Sequence, residues 1–139
     1  MKRTILFLIL TSFLLVNACG PKSPSENEKL REEVIAVHDE VMPKMGKLKS
    51  LERQALEKAE ELKSRNPMDS TKVEAYEALG YDLNRAHEAM FEWMHQYDPL
   101  DGKKSDEELK QYLDHQMVLV SAVNVEMKEA LAKAEALLK

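Results

Sequence analysis

From Leu30 onward, apolar residues recur at gaps of three and four. Leu30, Val34, Val37, Val41, Met45, Leu48, Ala55, Ala59 and Leu62 form the first such row, with a single gap of seven. That spacing puts them on one face of a helix. Ser25 with Glu28 three positions later reads as a capping box at its start. Asn66-Pro67 marks its end, because the residue before a proline is pushed out of the helical region. The pattern predicts a helix over 25–64. A second row follows: Tyr76, Leu79, Leu83, Ala86, His87, Met90, Met94 and Tyr97. It predicts a helix over 70–97, capped by Asp69 or Ser70. Asp98-Pro99 and Asp101-Gly102 are turn signals. Ser105 with Glu108 is a second capping box and opens a helix over 105–138. Its inner row is Leu109, Leu113, Gln116, Val120, Val123, Met127, Leu131, Ala134 and Leu138.

No run alternates apolar and polar residues between turns, so strands are not expected. Three amphipathic helices with short connections pack best as antiparallel neighbours. The predicted fold is all-α: an up-down-up antiparallel three-helix bundle with long, coiled-coil-like helices, forming one domain over 25–139. The rival arrangement is one very long hairpin that dimerises. Pro67 and the 98–102 turn argue against it by dividing the chain into three.

The first residues follow another pattern. Lys2-Arg3 is a basic start, and Thr4 to Val16 is a nearly unbroken apolar run. As a helix this run reaches only about 20 Å, short of the roughly 30 Å hydrocarbon core. Residues 1–18 therefore read as a secretory signal rather than a membrane span. Val16-Asn17-Ala18-Cys19 resembles a bacterial lipobox. The resemblance implies cleavage before Cys19, acylation of that cysteine (palmitate being one such acyl group), and a lipoprotein held by a membrane anchor. Residues 19–24 form the lipidated tether, where Gly20, Pro21 and Pro24 oppose helix. Cys19 is the single cysteine of the chain, which leaves no disulfide to pair.

Charge narrows the partners. The whole chain carries a formal −5, and loss of Lys2 and Arg3 with the signal takes it to −7. Nucleic acid needs a basic stripe and is excluded as a partner. Anionic headgroups would also repel such a chain. Its membrane contact is therefore assigned to the lipid on Cys19.

One stretch departs from ordinary Glu/Lys/Leu/Ala helix: His38-Asp39-Glu40-Val41-Met42-Pro43-Lys44-Met45-Gly46. His38, Met42 and Met45 fall at i, i+4, i+7 on one flank of the first helix. His87, Met90 and Met94 repeat that residue order on the second. Folding about the 66–70 turn brings the two rows toward each other. Thioethers with imidazole suit Cu(I), so these six residues are a candidate metal site. The competing explanation is plain core, since methionine fills the irregular gaps that a kinked helix creates. Pro43 removes a helical hydrogen bond and predicts a helix kink. Gly46, one turn on, adds flexibility or permits close approach of the second helix.

Other chemistry is excluded. Glu92 and His95 match the Glu-x-x-His spacing of di-iron bundles, but only one copy exists and Glu92 points away from the core. No phosphate loop, nucleophile elbow or cysteine-based zinc motif occurs. His95 and His115 fall on outward positions. Gln116 in the inner row of the third helix and Asn124 on its flank need partners if buried. Phe91, Trp93 and Tyr97 cover the open end of the core or form a docking patch.

The blocks His38-Asp-Glu-Val-Met-Pro-Lys-Met45 and Met90-Phe-Glu-Trp-Met-His-Gln-Tyr97, following a lipobox, resemble a family of small bacterial lipoproteins often labelled viral A-type inclusion proteins. The resemblance implies a lipid-anchored, helical, extracytoplasmic protein and carries over no catalytic residue. Together these readings predict a non-enzymatic binding or scaffolding module for another protein of the cell envelope, with no cofactor. Outer membrane is favoured over inner, because Gly20 is not the aspartate linked to inner-membrane retention in some bacteria. The alternative is a Cu(I)-binding, metal-handling protein using the His/Met cluster.

Overall fold

The computed structural model describes residues 24–99, 102 and 104–139. The signal at 1–18, Cys19 and most of the 19–24 tether lie outside the described residues. Among the described residues four α-helices follow in order: α1 (Glu26–Val41), α2 (Met45–Lys63), α3 (Ser70–Gln96) and α4 (Asp106–Leu137). A 3-10 turn at Met42–Lys44 joins α1 to α2. No strand occurs among the described residues. The molecule is a helical bundle of three packed rods, the first of them made of α1 and α2.

Local chemistry starts each rod. Ser25 accepts from the Glu28 amide while the Glu28 carboxylate accepts from the Ser25 amide. Ser105 and Glu108 do the same for α4. Each box satisfies two amides that have no partner inside the helix. At α3 the cap is Asp69, which accepts from the Lys72 amide at 3.1 Å. Gly102 has φ of 62° in the connection before α4, a backbone conformation that favours glycine.

Pro43 divides the first rod. It has no N–H to donate, and the chain tightens into a 3-10 turn in which the Met45 amide bonds the Met42 carbonyl. A 3-10 residue turns by about 120°, against about 100° in an α-helix. Over three residues that rotates the apolar face by about 60°. The two halves then find different neighbours: α1 packs on α4, and α2 packs on α3. The helices α3 and α4 close the core against each other.

Leu48, Leu83, Met90, Leu113, Val34, Val41, Val120 and Met127 are sealed from water at the centre. Each large apolar side chain so buried stabilises the fold by about 1.5–3 kcal/mol. Gly46 is exposed, and a Cβ there would meet nothing within 4 Å. It is therefore not a point of close helix approach. That role falls to Gly80 on α3, where a Cβ would sit 2.8 Å from Leu56 Cδ2 of α2.

Candidate functional site

His38 lies near the end of α1. Its Nδ1 lies 2.8 Å from Asp39 Oδ1. A carboxylate only accepts, so Nδ1 keeps its hydrogen and donates it to Asp39, and in the neutral ring Nε2 carries a bare lone pair. That Nε2 is buried and has no hydrogen-bond partner among the described residues. The ring lies 5.4 Å from the indole of Trp93 on α3, centroid to centroid, at a tilt of 33°. Trp93 is buried, and its Nε1 is likewise without a partner among the described residues. Buried polar atoms almost always find partners, so two such atoms on touching rings need an explanation.

Trp93 continues into an aromatic ladder. Its ring stacks on Tyr97 at 4.9 Å, and Tyr97 lies 6.2 Å from Tyr112 of α4. The Tyr112 hydroxyl accepts from the Asp98 amide at 2.6 Å. The ladder thus joins α1, α3 and α4 at the end of the bundle where α3 finishes and α4 begins. Phe91 stays partly outside it, 39% exposed.

The methionines divide into two kinds. Met45 and Met90 belong to the closed core. Met42 and Met94 are half-buried and pack on its edge. The Met42 amide donates to the His38 carbonyl, so these two side chains stand on consecutive turns of one flank. Met117 of α4 is also half-buried, with the Ser121 hydroxyl 3.7 Å from its sulfur.

His87 stands apart from His38. Its Nδ1 lies 3.2 Å from Glu88 Oε1, and its ring meets the edge of Phe91 at 4.9 Å. Six helical residues, about 9 Å of rise, separate it from Trp93. The structure therefore joins His38 with Trp93 and the nearby Met42, and places His87 further along α3. His95 is exposed, with Nδ1 2.7 Å from the Phe91 carbonyl oxygen. Among the described residues no group of three or more His, Cys, Asp or Glu is arranged to hold a metal.

A polar link lies one turn from the site. Asn124 of α4 is buried and donates to the Val37 carbonyl at 2.8 Å and to Glu40 Oε2 at 3.0 Å. Lys128 reaches Glu40 Oε1 at 2.6 Å. The Lys128 ammonium, and next the Asn124 amide, hold the Glu40 carboxyl below its ordinary value. Gln116 is the other buried polar residue of α4, and its Oε1 has no partner among the described residues.

A second surface escaped the reading of the sequence. Tyr81, Val118 and Val125 are 65%, 67% and 53% exposed. Arg85 joins Tyr81 to the Val125 side of α4: its guanidinium lies 5.9 Å from the Tyr81 ring and its Nε is 2.6 Å from Glu126 Oε1, while Val118 stands two turns away from Val125 on the same row of α4. Glu126 holds the Arg85 guanidinium firmly in its charged form. A shallow groove beside it is lined by Ser121, Ala122, Val125 and Glu129. The signal was present as a second row on the last helix, Val118, Ala122 and Val125 at gaps of four and three. Compared with known proteins, the chain matches no family model, no curated protein and no solved structure.

Proposed function

We propose that this chain is a lipoprotein of the bacterial cell envelope, anchored through lipid on Cys19, whose helical domain binds or scaffolds another envelope protein and catalyses no reaction. The observation that carries the binding role is the exposed Tyr81–Val118–Val125 face. Large apolar side chains gathered on a surface rich in ion pairs mark an interaction site. The lipobox-like Val16-Asn17-Ala18-Cys19 and the resemblance to small envelope lipoproteins support the anchor and an extracytoplasmic, outer-membrane location. Among the described residues no helix is long and apolar enough to cross a membrane. In this reading membrane contact belongs to the lipid.

The architecture that belongs to this reading is an up-down-up bundle of long, coiled-coil-like helices. Cross-helix contacts support it. Lys49 meets Asn84 and Lys63 meets Glu77, so residue numbers rise along α2 as they fall along α3. Arg85 meets Glu126 and Asp82 meets Lys133, the same opposed sense for α3 and α4. Asn27 meets the Asp106 carbonyl and Lys47 meets Glu135, the sense of two rods running together. Such a rod presents the α3/α4 face along its length, as a docking module requires.

The test has two arms. Cys19→Ser is expected to release the protein from membranes, and unchanged membrane association refutes the anchor. A photo-crosslinker at Val118 or Val125 in living cells is expected to capture one defined envelope protein, with capture abolished by Tyr81→Glu. Recovery of uncrosslinked monomer alone refutes the binding role.

A further inference from the structure

We infer that the end of α1 holds a soft monovalent cation, Cu(I), on His38 Nε2 with the thioethers of Met42 and Met94, beneath the indole of Trp93. The inference is independent of the anchor and of the α3/α4 face.

Four observations carry it. First, His38 has the form of a metal-ligating histidine. Ligating imidazoles almost always give their other ring N–H to a carboxylate or carbonyl, which fixes the tautomer and raises the basicity of the free nitrogen. Asp39 does this at 2.8 Å. Second, the free nitrogen is buried with no partner among the described residues, which is costly for an ordinary core histidine. Third, two thioethers stand next to the ring pair along the helices. Met42 stands one turn beyond His38, and Met94 is the neighbour of Trp93 in the chain. Both pack at the rim of the core rather than inside it. With three rotatable bonds each, their sulfurs can swing onto a metal without opening the core. Fourth, an aromatic ring lies beside the imidazole: the Trp93 and His38 ring centroids are 5.4 Å apart. Indole is the best of the aromatic partners for a cation.

The donor set selects the ion. Thioether and neutral imidazole carry no negative charge, so they cannot balance a buried dication. They suit Cu(I) by softness and by charge. The nearby Asp39 carboxylate supplies the one compensating charge from its exposed position. A harder dication would need clustered carboxylates and histidines, and among the described residues no group of three offers them. His87 is not part of this site. Its ring is turned onto Phe91, and about 9 Å of helix separates it from Trp93.

The full chain carrying Cys19→Ser, which removes the sole thiol, is titrated in detergent with Cu(I) under a competing chelator and with Ag(I). Trp93 is the only tryptophan, so its emission reports this site alone. One equivalent of either ion is expected to change that emission, with a Cu(I) dissociation constant below about 1 µM. Zn(II) is expected to leave the emission unchanged. His38→Phe, which keeps an aromatic ring there, is expected to weaken Cu(I) binding by about a hundredfold or more, and Met42→Leu or Met94→Leu by about tenfold each. His87→Phe is expected to bind as before. Should His38→Phe lose its helical circular dichroism, Asp39→Asn replaces it. That side chain is 66% exposed, so the core is spared, and a loss of about tenfold to a hundredfold is expected. Binding weaker than micromolar, a Zn(II) affinity equal to that for Cu(I), or binding that depends on His87 and not on His38 overturns the inference.

Discussion

The side-chain amide of Asn124 on α4 lies 2.8 Å from the carbonyl oxygen of Val37 on α1. Among the described residues it is one of two buried polar ones in an otherwise apolar core, and it bonds the backbone of a helix 87 positions away in sequence. Apolar rows slide past one another with little penalty, whereas a buried amide is satisfied in one register only. Asn124 therefore sets how far along α4 the first helix sits.

Asn124→Ala is expected to lower unfolding free energy by about 1–3 kcal/mol, from the lost hydrogen bonds and the space left behind. Urea denaturation followed by circular dichroism measures this. A midpoint equal to that of the unaltered protein would remove the register role.

Acid should weaken the fold in a defined direction. Lys128, then Asn124, hold Glu40 below its ordinary 4.5, and Lys47 lowers Glu135 likewise. A carboxyl whose folded value is depressed stabilises the protein above its ordinary value. It loses that contribution as pH falls through the folded value. The thermal midpoint is expected to be flat above about pH 5 and to fall below it, and Glu40→Gln should make that fall shallower. Melting curves at several pH values decide. A Glu40→Gln curve parallel to the parent's would exclude Glu40 as a contributor.

The two helical glycines should answer in opposite ways. Gly46→Ala meets open space and should stabilise by about 0.5–1 kcal/mol through helix propensity alone. Gly80→Val brings a branched side chain onto Leu56, whose Cδ2 is already 2.8 Å from an ideal Cβ. Overpacking of that kind typically costs about 1–3 kcal/mol. Differential scanning calorimetry of both variants reads the contrast, and a shared sign would undo it.

Met90 tests which methionines are core. It is 0% exposed, so Met90→Leu, a swap of similar volume, should cost less than about 1.5 kcal/mol, while Met90→Ala should cost about 2–5 kcal/mol. Equal and small effects would mean that Met90 is not packed as the structure has it.

Much of this was legible in the sequence, for local reasons. Helix starts are written in short-range chemistry, and the capping boxes at Ser25 and Ser105 need only a residue and its neighbour three places on. The core rows follow from the helical repeat, so Leu48, Leu83, Leu113 and Met127 could be named as buried from spacing alone. The change of backbone at Pro43 follows from the missing N–H. What the sequence left open is what each row faces. His38 and His87 share a residue pattern, and only packing separates them, because the rotation at Met42–Lys44 aims α1 and α2 at different neighbours. The same pattern says nothing of a lone pair left bare beside Trp93, of an amide bonded across 87 positions, or of a glycine pressed by Leu56. Those depend on distances between helices. A repeat of three and four residues fixes the direction of a side chain about its own axis, and the partner across the gap is decided only when the rods pack.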